Sequence, residues 1–223
     1  MDLIVESFFN LDTIREVYPL LLSGLWITLL LVLACVPLGV LVGLTVAVLY
    51  ALRARWLNVL LVLYVDFMRA FPPLVLLIVI YYGLPFLGLE LREFPAAVLA
   101  LTLNSSGYYG EIFRAGIESI PRGQSEAARS TGLSALQAML WIVLPQAVRN
   151  VVPPLTTNTL EVIKITAVAS AVALPELLRS ARIAQGLVYN PTPLMMAALT
   201  YLVLLWPIVR IVSRFERQMM TPH

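Results

Sequence analysis

Long apolar stretches separated by short charged ones set the pattern of this chain. Residues 17–52 carry no charged side chain, a longer run than the roughly 20 residues that span hydrocarbon. They predict a long, tilted first span at about 20–50, ended by Arg53 and Arg55. Pro37 falls inside it and predicts a kink, and Gly39 and Gly43 form a small-xxx-small pair that permits close helix approach. A second span at about 57–84 carries Asp66 and Arg69, then Pro72-Pro73. Two successive prolines remove two backbone donors and predict a break or sharp bend. A polar connection at 85–93 leads to a third span at about 94–114, with Asn104, Ser105 and Ser106 in its middle. A fourth span at about 149–173 has Pro153-Pro154 near its start and Glu161 and Lys164 inside. A polar excursion over 174–192 precedes a fifth at about 193–212, closed by Arg210, Arg214 and Arg217. The pattern predicts an all-α polytopic membrane protein of five transmembrane helices, with residues 1–223 as one transmembrane domain.

Two stretches need more than hydropathy. Residues 130–148 are uncharged, but Gly132, Ser134, Gln137, Pro145 and Gln146 dilute them. Apolar residues at 133, 136, 140, 143 and 144 make a helical stripe instead. Together with Arg114, Glu118, Arg122, Glu126 and Arg129, the segment 115–148 reads as a surface segment with an amphipathic helix lying against the membrane or a partner. Residues 1–18 mix apolar residues with Asp2, Glu6, Asp12 and Glu16. That is the opposite of a basic signal-peptide start, and it reads as a short helix at the membrane surface.

Composition agrees with a membrane protein. Hydrophobic residues make up 60% of the 223, charged residues 13%, and mean hydropathy is +0.89; soluble domains carry about 25% charged residues. A net charge of +2 gives no footprint for nucleic acid. Cys35 lies in an apolar run and reads as a packing residue, and the single histidine, His223, makes no metal site. Basic loop residues set orientation. With the C-terminus inside, Arg53, Arg55, Arg114, Arg122, Arg129, Arg149, Arg210, Arg214 and Arg217 face the cytoplasm, against Arg15, Arg92, Arg179 and Arg182 outside. The expected topology is N-out and C-in, with 115–148 in the cytoplasm.

The only lysine, Lys164, follows isoleucine, so no phosphate-binding G-x-x-x-x-G-K-[ST] loop exists. No catalytic residues are expected, and energy for any pumping must come from another chain. Polar groups do occur deep in the spans. At 1.5 Å per residue, Arg69, Asn104 and Glu161 sit roughly 15–18 Å into their helices, near the middle of a ~30 Å core. Such residues are costly there and point to a solute path, often beside a broken helix. A zwitterionic solute would place its anionic group, such as a carboxylate, on Arg69 and its cationic group, such as an ammonium, on Glu161, with Asp66 second. Asn104 and Ser105 can hydrogen-bond either group. Asp66–Arg69 and Glu161–Lys164, each spaced i,i+3, could equally neutralise one another.

The run Glu126-Ala127-Ala128, three residues, Gly132, nine residues, then Ile142-Val143-Leu144-Pro145 resembles the coupling-loop signature of permease subunits in bacterial ATP-binding cassette importers. Tyr64-Val65-Asp66-Phe67-Met68-Arg69-Ala70-Phe71-Pro72 and Leu103-Asn104-Ser105 through Glu111-Ile112-Phe113-Arg114-Ala115-Gly116-Ile117 resemble the polar amino acid uptake subfamily, of histidine, glutamine and arginine type. The likeness covers about 20–217. It implies the type I importer permease fold in the bacterial inner membrane. It also implies a second permease subunit, identical or related, two ATP-binding subunits and an extracytoplasmic substrate-binding protein. Glu126, Ala127, Ala128, Arg129, Gly132 and Pro145 would couple to the ATPase, with Pro145 ending the segment before the fourth span. ATP and Mg would sit on that partner, with no cofactor on this chain. Two departures stand out: Ala70-Phe71 replace the usual Gly-Thr, and Lys164-Ile165-Thr166 replaces Lys-Asp-Thr. The transported solute is therefore a polar amino acid or another polar solute such as an opine. A membrane scaffold or sensor that recruits an ATPase is the other class of reading.

Overall fold

The computed structural model describes residues 7–51 and 54–220, with side chains through Arg214. Arg53 and His223 lie outside the described residues, as does the beginning of the predicted surface helix. No β-strand occurs among the described residues.

Helix α1 spans Leu11–Ala51 without interruption, through Pro19 and Pro37. At 1.5 Å per residue its 41 residues extend about 60 Å. The predicted surface helix is thus not separate from Leu11 onward. Asn10 Oδ1 accepts the backbone N–H groups of Asp12 and Thr13 at 3.0 Å, an N-cap that starts the helix nine residues ahead of the hydrophobic run.

Helix α2 covers Arg55–Ala70, and a short α3 covers Pro73–Ile78. A π-helical turn, Val79–Gly83, and a 3-10 turn, Leu84–Leu87, complete the second hydrophobic segment. The two parts are bent by 101°. Phe71 and Pro72, each preceding a proline, adopt extended backbone (ψ 123° and 129°), and this breaks the helix.

Helix α4, Glu93–Glu118, is the element around which the others pack. Its Ala96, Ala97, Ala100, Ser106, Tyr109 and Gly110 are buried. Gly39 and Gly43 of α1 lie against Ser105 and Tyr109 of α4; a Cβ at Gly43 would meet Tyr109 Cβ at 2.6 Å and the Gly110 nitrogen at 2.7 Å. The small-residue pair therefore marks a true close approach.

Helix α5 covers Arg122–Ser130. Gly132, at φ +93°, ends it in the left-handed region that favours glycine, with open space around it. Ser134 and Gln137 form a capping box that starts α6, Ala135–Ala138. A π-helical turn, Met139–Val143, joins α6 to α7, Leu144–Ile165, and a 3-10 stretch Thr166–Val172 follows. Pro145 therefore does not end the segment. The continuous helical stretch passes through it from Ala135 to Val172, so the helix begins fourteen residues before the expected 149. The π turn supplies the reason. A proline at 145 removes the donor for Trp141 and crowds its carbonyl, and a wider turn just before relieves both; Gln146 Nε2 then donates to Ile142 O at 2.7 Å. The extra residue of the turn also shifts the buried face. Ala138, Val143, Ala147 and Val151 are buried, spaced five, four and four, whereas Leu136, Leu140 and Leu144 of the expected stripe are exposed.

The polar excursion is largely a helix, α8, Leu177–Val188, whose Leu177, Ala181 and Ala184 pack against α1 and α9. Helix α9 runs Thr192–Met220. Among the described residues, three helices can cross a membrane by length and composition, or four if the bent pair is one span. Helix α4, at 26 residues, is long enough too, but its polar positions are sheltered by its neighbours instead of facing hydrocarbon.

Candidate functional site

The site builds outward from the break after α2. Pro72 and Pro73 lack the N–H groups that would satisfy the carbonyls of Met68 and Arg69 in a continuous helix. Side chains of α4 replace both. Asn104 Nδ2 donates to Met68 O at 2.8 Å and to Phe71 O at 3.1 Å, and Tyr108 Oη donates to Arg69 O at 3.1 Å. Asn104 is buried, and its amide donors are consumed by backbone. Ser105, also buried, donates to Thr102 O and faces Gly39 of α1. These two side chains are therefore turned into the framework.

Arg69 lies on the other side of the break. Its side chain is 40% exposed and its Nη1 is 4.0 Å from Glu111 Oε1. Its guanidinium lies 5.8 Å from the centroid of the Tyr108 ring. Glu111 is already taken, because Arg114 donates to it from Nε at 3.0 Å and from Nη2 at 2.7 Å. Arg114 also donates to Glu118 at 2.6 Å and stacks 5.6 Å from the Tyr50 centroid. Arg69 is thus only loosely paired. The expected Asp66–Arg69 ion pair is absent among the described residues; Asp66 is exposed and shares with Arg69, Glu111, Arg114 and Tyr50 a cavity of about 270 Å³ between α1, α2 and α4. An i,i+3 spacing near a helix end leaves the longer arginine free to follow the charge on α4.

Glu161 and Lys164 lie on α7 and do pair with each other, both about half exposed. They are not brought against Arg69. With Asn150, Pro154 and Thr157 they form one exposed face at spacings of four, three, four and three residues. The foot of that face meets the charge cluster: Asn150 and Pro154 share a cavity of about 250 Å³ with Glu111, Ala115 and Ser119. Asn150 Nδ2 donates to Ser119 Oγ at 2.8 Å. A polar seam therefore runs along α7 and ends beside Glu111, with Arg69 across it.

The segment at 126–145 divides differently than expected. Glu126, Ala127, Arg129 and Gly132 are exposed, whereas Ala128 is turned into the chain. Glu126 and Arg129 line a groove of about 850 Å³ with Asn58, Glu118, Arg122 and Met139.

Glu176 was not singled out by the sequence. It is fully buried and caps α8, its carboxylate accepting from Leu178 N at 2.9 Å and Arg179 N at 2.7 Å. Tyr201 Oη of α9 donates to it at 3.1 Å. Burial raises its carboxyl above the usual carboxylate range, against the pull of those three donors. Glu followed by an alternating Leu-Leu-x-x-Ala-x-x-Ala pattern was the available signal for a capped helix.

Comparison with known proteins agrees with this architecture. The family described as binding-protein-dependent transport system inner membrane component matches residues 36–221. The chain is 36% identical to the probable amino-acid ABC transporter permease protein YckA of Bacillus subtilis (strain 168), over 95% of this chain and 92% of that protein. It is 34% identical to the arginine transport system permease protein ArtQ of the same organism, over 94% of this chain and 98% of that one. The solved structure of an amino acid ABC transporter with histidines superposes with a TM-score of 0.86 at 36% identity, covering 92% of this chain and 96% of that one. An inward-facing MetNI methionine ABC transporter, 24% identical with a TM-score of 0.73 and coverage of 91% and 97%, shares the fold. With the helical architecture, the broken second segment and the coupling-loop spacing, these matches place the protein among the multi-pass inner membrane components of binding-protein-dependent transport systems, and the chain belongs to that family.

Proposed function

We propose that this chain lines the translocation pathway for a polar amino acid in an ATP-driven importer. The exposed polar face of α7 carries the reading. An ionised side chain at the centre of a lipid-facing helix costs roughly 2.5–3.5 kcal/mol by insertion measurements. A face bearing Asn150, Thr157, Glu161 and Lys164 therefore belongs against water, solute or another polypeptide. A second permease subunit, identical or related, closes that face. The relatives named for amino acids and arginine support the solute class.

In this reading Arg69 receives the solute carboxylate, Glu161 or Asp66 its ammonium, and Lys164 balances Glu161, while Asn104 and Ser105 support the wall. Five spans run N-out to C-in, α4 included. The segment at 126–145 docks to a separate ATPase, which holds ATP and Mg, through exposed Glu126, Ala127 and Arg129. Gly132 sets the turn and Ala128 anchors the docking helix to the rest of the chain. An extracytoplasmic binding protein delivers the solute.

Uptake of labelled L-amino acids into proteoliposomes holding the full importer tests this. Wild-type uptake with loss in Arg69→Ala is expected, and so is loss of solute-stimulated ATP hydrolysis in Ala127→Trp, whose bulk points at the docking face. A wild-type complex that hydrolyses ATP with no flux for any amino acid would support the scaffold or sensor reading.

A further inference from the structure

We infer that Tyr108 is a positioning residue for Arg69, setting both the break in the second span and the direction of the Arg69 charge. The inference rests on the reading of Arg69 as the contact for the solute carboxylate.

Two contacts, from different parts of one side chain, carry it. The Tyr108 hydroxyl donates to Arg69 O at 3.1 Å, the carbonyl that Pro73 leaves without a helical donor. The Tyr108 ring lies 5.8 Å from the Arg69 guanidinium, within cation–π range. Backbone and head group of one arginine are thus held by one tyrosine. The surroundings explain why such a hold is needed. Glu111, the nearest carboxylate, is bonded twice by Arg114 and leaves Arg69 at 4.0 Å. A guanidinium without a fixed acceptor swings among the charges near it, and here Asp66 and Glu111 lie on its cavity wall. The ring gives it a neutral surface to rest on, so the donors stay unconsumed and face outward.

Position argues the same way. Tyr108 is 37% exposed, while Asn104, Ser105, Ser106, Gly107 and Tyr109 around it on α4 are buried. It shares the face of α4 that carries Glu111 and Ala115 toward the α7 seam. A tyrosine serving only to cap Arg69 O could sit as deep as Asn104 does. Its placement at the edge of the seam leaves the ring beside whatever Arg69 binds.

The hydroxyl and the ring separate by substitution. The hydroxyl holds the break and governs how fast the pathway changes state; the ring holds the guanidinium and governs affinity. Equilibrium binding of each of the twenty labelled L-amino acids to the purified permease–ATPase complex, without binding protein, gives Kd and the number of sites for whichever binds wild type. Proteoliposome uptake gives the maximal rate. Tyr108→Phe is expected to keep Kd within about twofold and to lower the maximal rate several-fold. Tyr108→Leu is expected to raise Kd tenfold or more with the number of sites unchanged; a purely structural role would lower the number of sites and leave Kd alone. If Arg69→Ala abolishes binding and Tyr108→Leu binds with wild-type Kd, the inference is overturned and the reading of Arg69 survives. If Arg69→Ala binds and transports as wild type, or wild type binds no amino acid, that reading fails and takes the inference with it. Should Tyr108→Leu not assemble, Tyr108→Phe decides alone: wild-type maximal rate overturns the role of the hydroxyl, and a tenfold rise in Kd overturns the role of the ring.

Discussion

The same dipeptide, Pro-Pro, occurs within two membrane segments and does opposite things. At Pro72-Pro73 the chain leaves the helix and turns by 101°. At Pro153-Pro154 helix α7 continues without interruption. Both pairs strip two carbonyls of their donors, and each first proline, preceding another, is biased away from helical backbone. The difference lies in what waits beside the freed carbonyls. At the first pair, Asn104 and Tyr108 reach across from α4 and satisfy the carbonyls of Met68, Arg69 and Phe71, so the broken geometry has partners. At the second, the freed carbonyls belong to the exposed residues Arg149 and Asn150, where another polar partner or water can take them. Thr156 Oγ1 ties the helix back to Val152 O and Pro153 O at 3.1 and 2.7 Å. A proline pair removes hydrogen bonds, and its neighbours decide whether the helix breaks.

Restoring donors at the first pair should have the largest effect. Pro72→Ala with Pro73→Ala lets α2 run on into α3, and loss of uptake by two orders of magnitude or more is expected in proteoliposomes with the complex still assembled. Wild-type uptake would show that the bend has no part in transport. Asn104→Leu comes next. It leaves two part-buried carbonyls unpaired, which costs about 2–6 kcal/mol at roughly 1–3 kcal/mol each; a lowered thermal midpoint of the detergent-solubilised complex reads it, and an unchanged midpoint would mean water replaces the amide. Gln146→Leu removes the side chain that serves Ile142 O beside the π turn, at about 1 kcal/mol on the same measurement. Pro153→Ala with Pro154→Ala should move the midpoint least, within about 1 kcal/mol, since the helix already forms. A large loss there would mean that the second pair, too, is held by partners that need it.

Much of the architecture was legible in the sequence. Long apolar runs marked the helices, Pro72-Pro73 marked the break, and Gly39 and Gly43 marked a close helix approach. The helical excursion was missed because Glu176, Arg179 and Arg182 made it look like a loop, whereas Glu176 is the cap and Leu177, Ala181 and Ala184 are the buried side. Pro145 was misread as a stop because a π turn leaves no local mark in composition. Of the expected pathway residues, Glu161 and Lys164 pair with each other on an exposed face of α7, and Arg69 turns toward Glu111 instead of Asp66. Asn104 and Ser105 face the framework, since depth along a helix does not determine the direction a residue faces.

The sequence by itself determined that this chain lives in a membrane, that its long apolar runs form helices, and that each proline pair strips two carbonyls of their donors. It also determined that no G-x-x-x-x-G-K-[ST] phosphate loop is present. These follow from local chemistry: hydrocarbon admits only apolar, internally bonded segments, and a proline removes a donor wherever it stands. Only the tertiary structure decided which proline pair breaks its helix, which acid meets Arg69, and which face of α7 is left uncovered. Each of these depends on groups far apart in the chain, Asn104 and Tyr108 for the break, Glu111 with Arg114 for the arginine, and the packing of α4 for the seam. A hydrogen-bond donor acts on whatever carbonyl the fold brings within about 3 Å of it, and sequence separation plays no part in that.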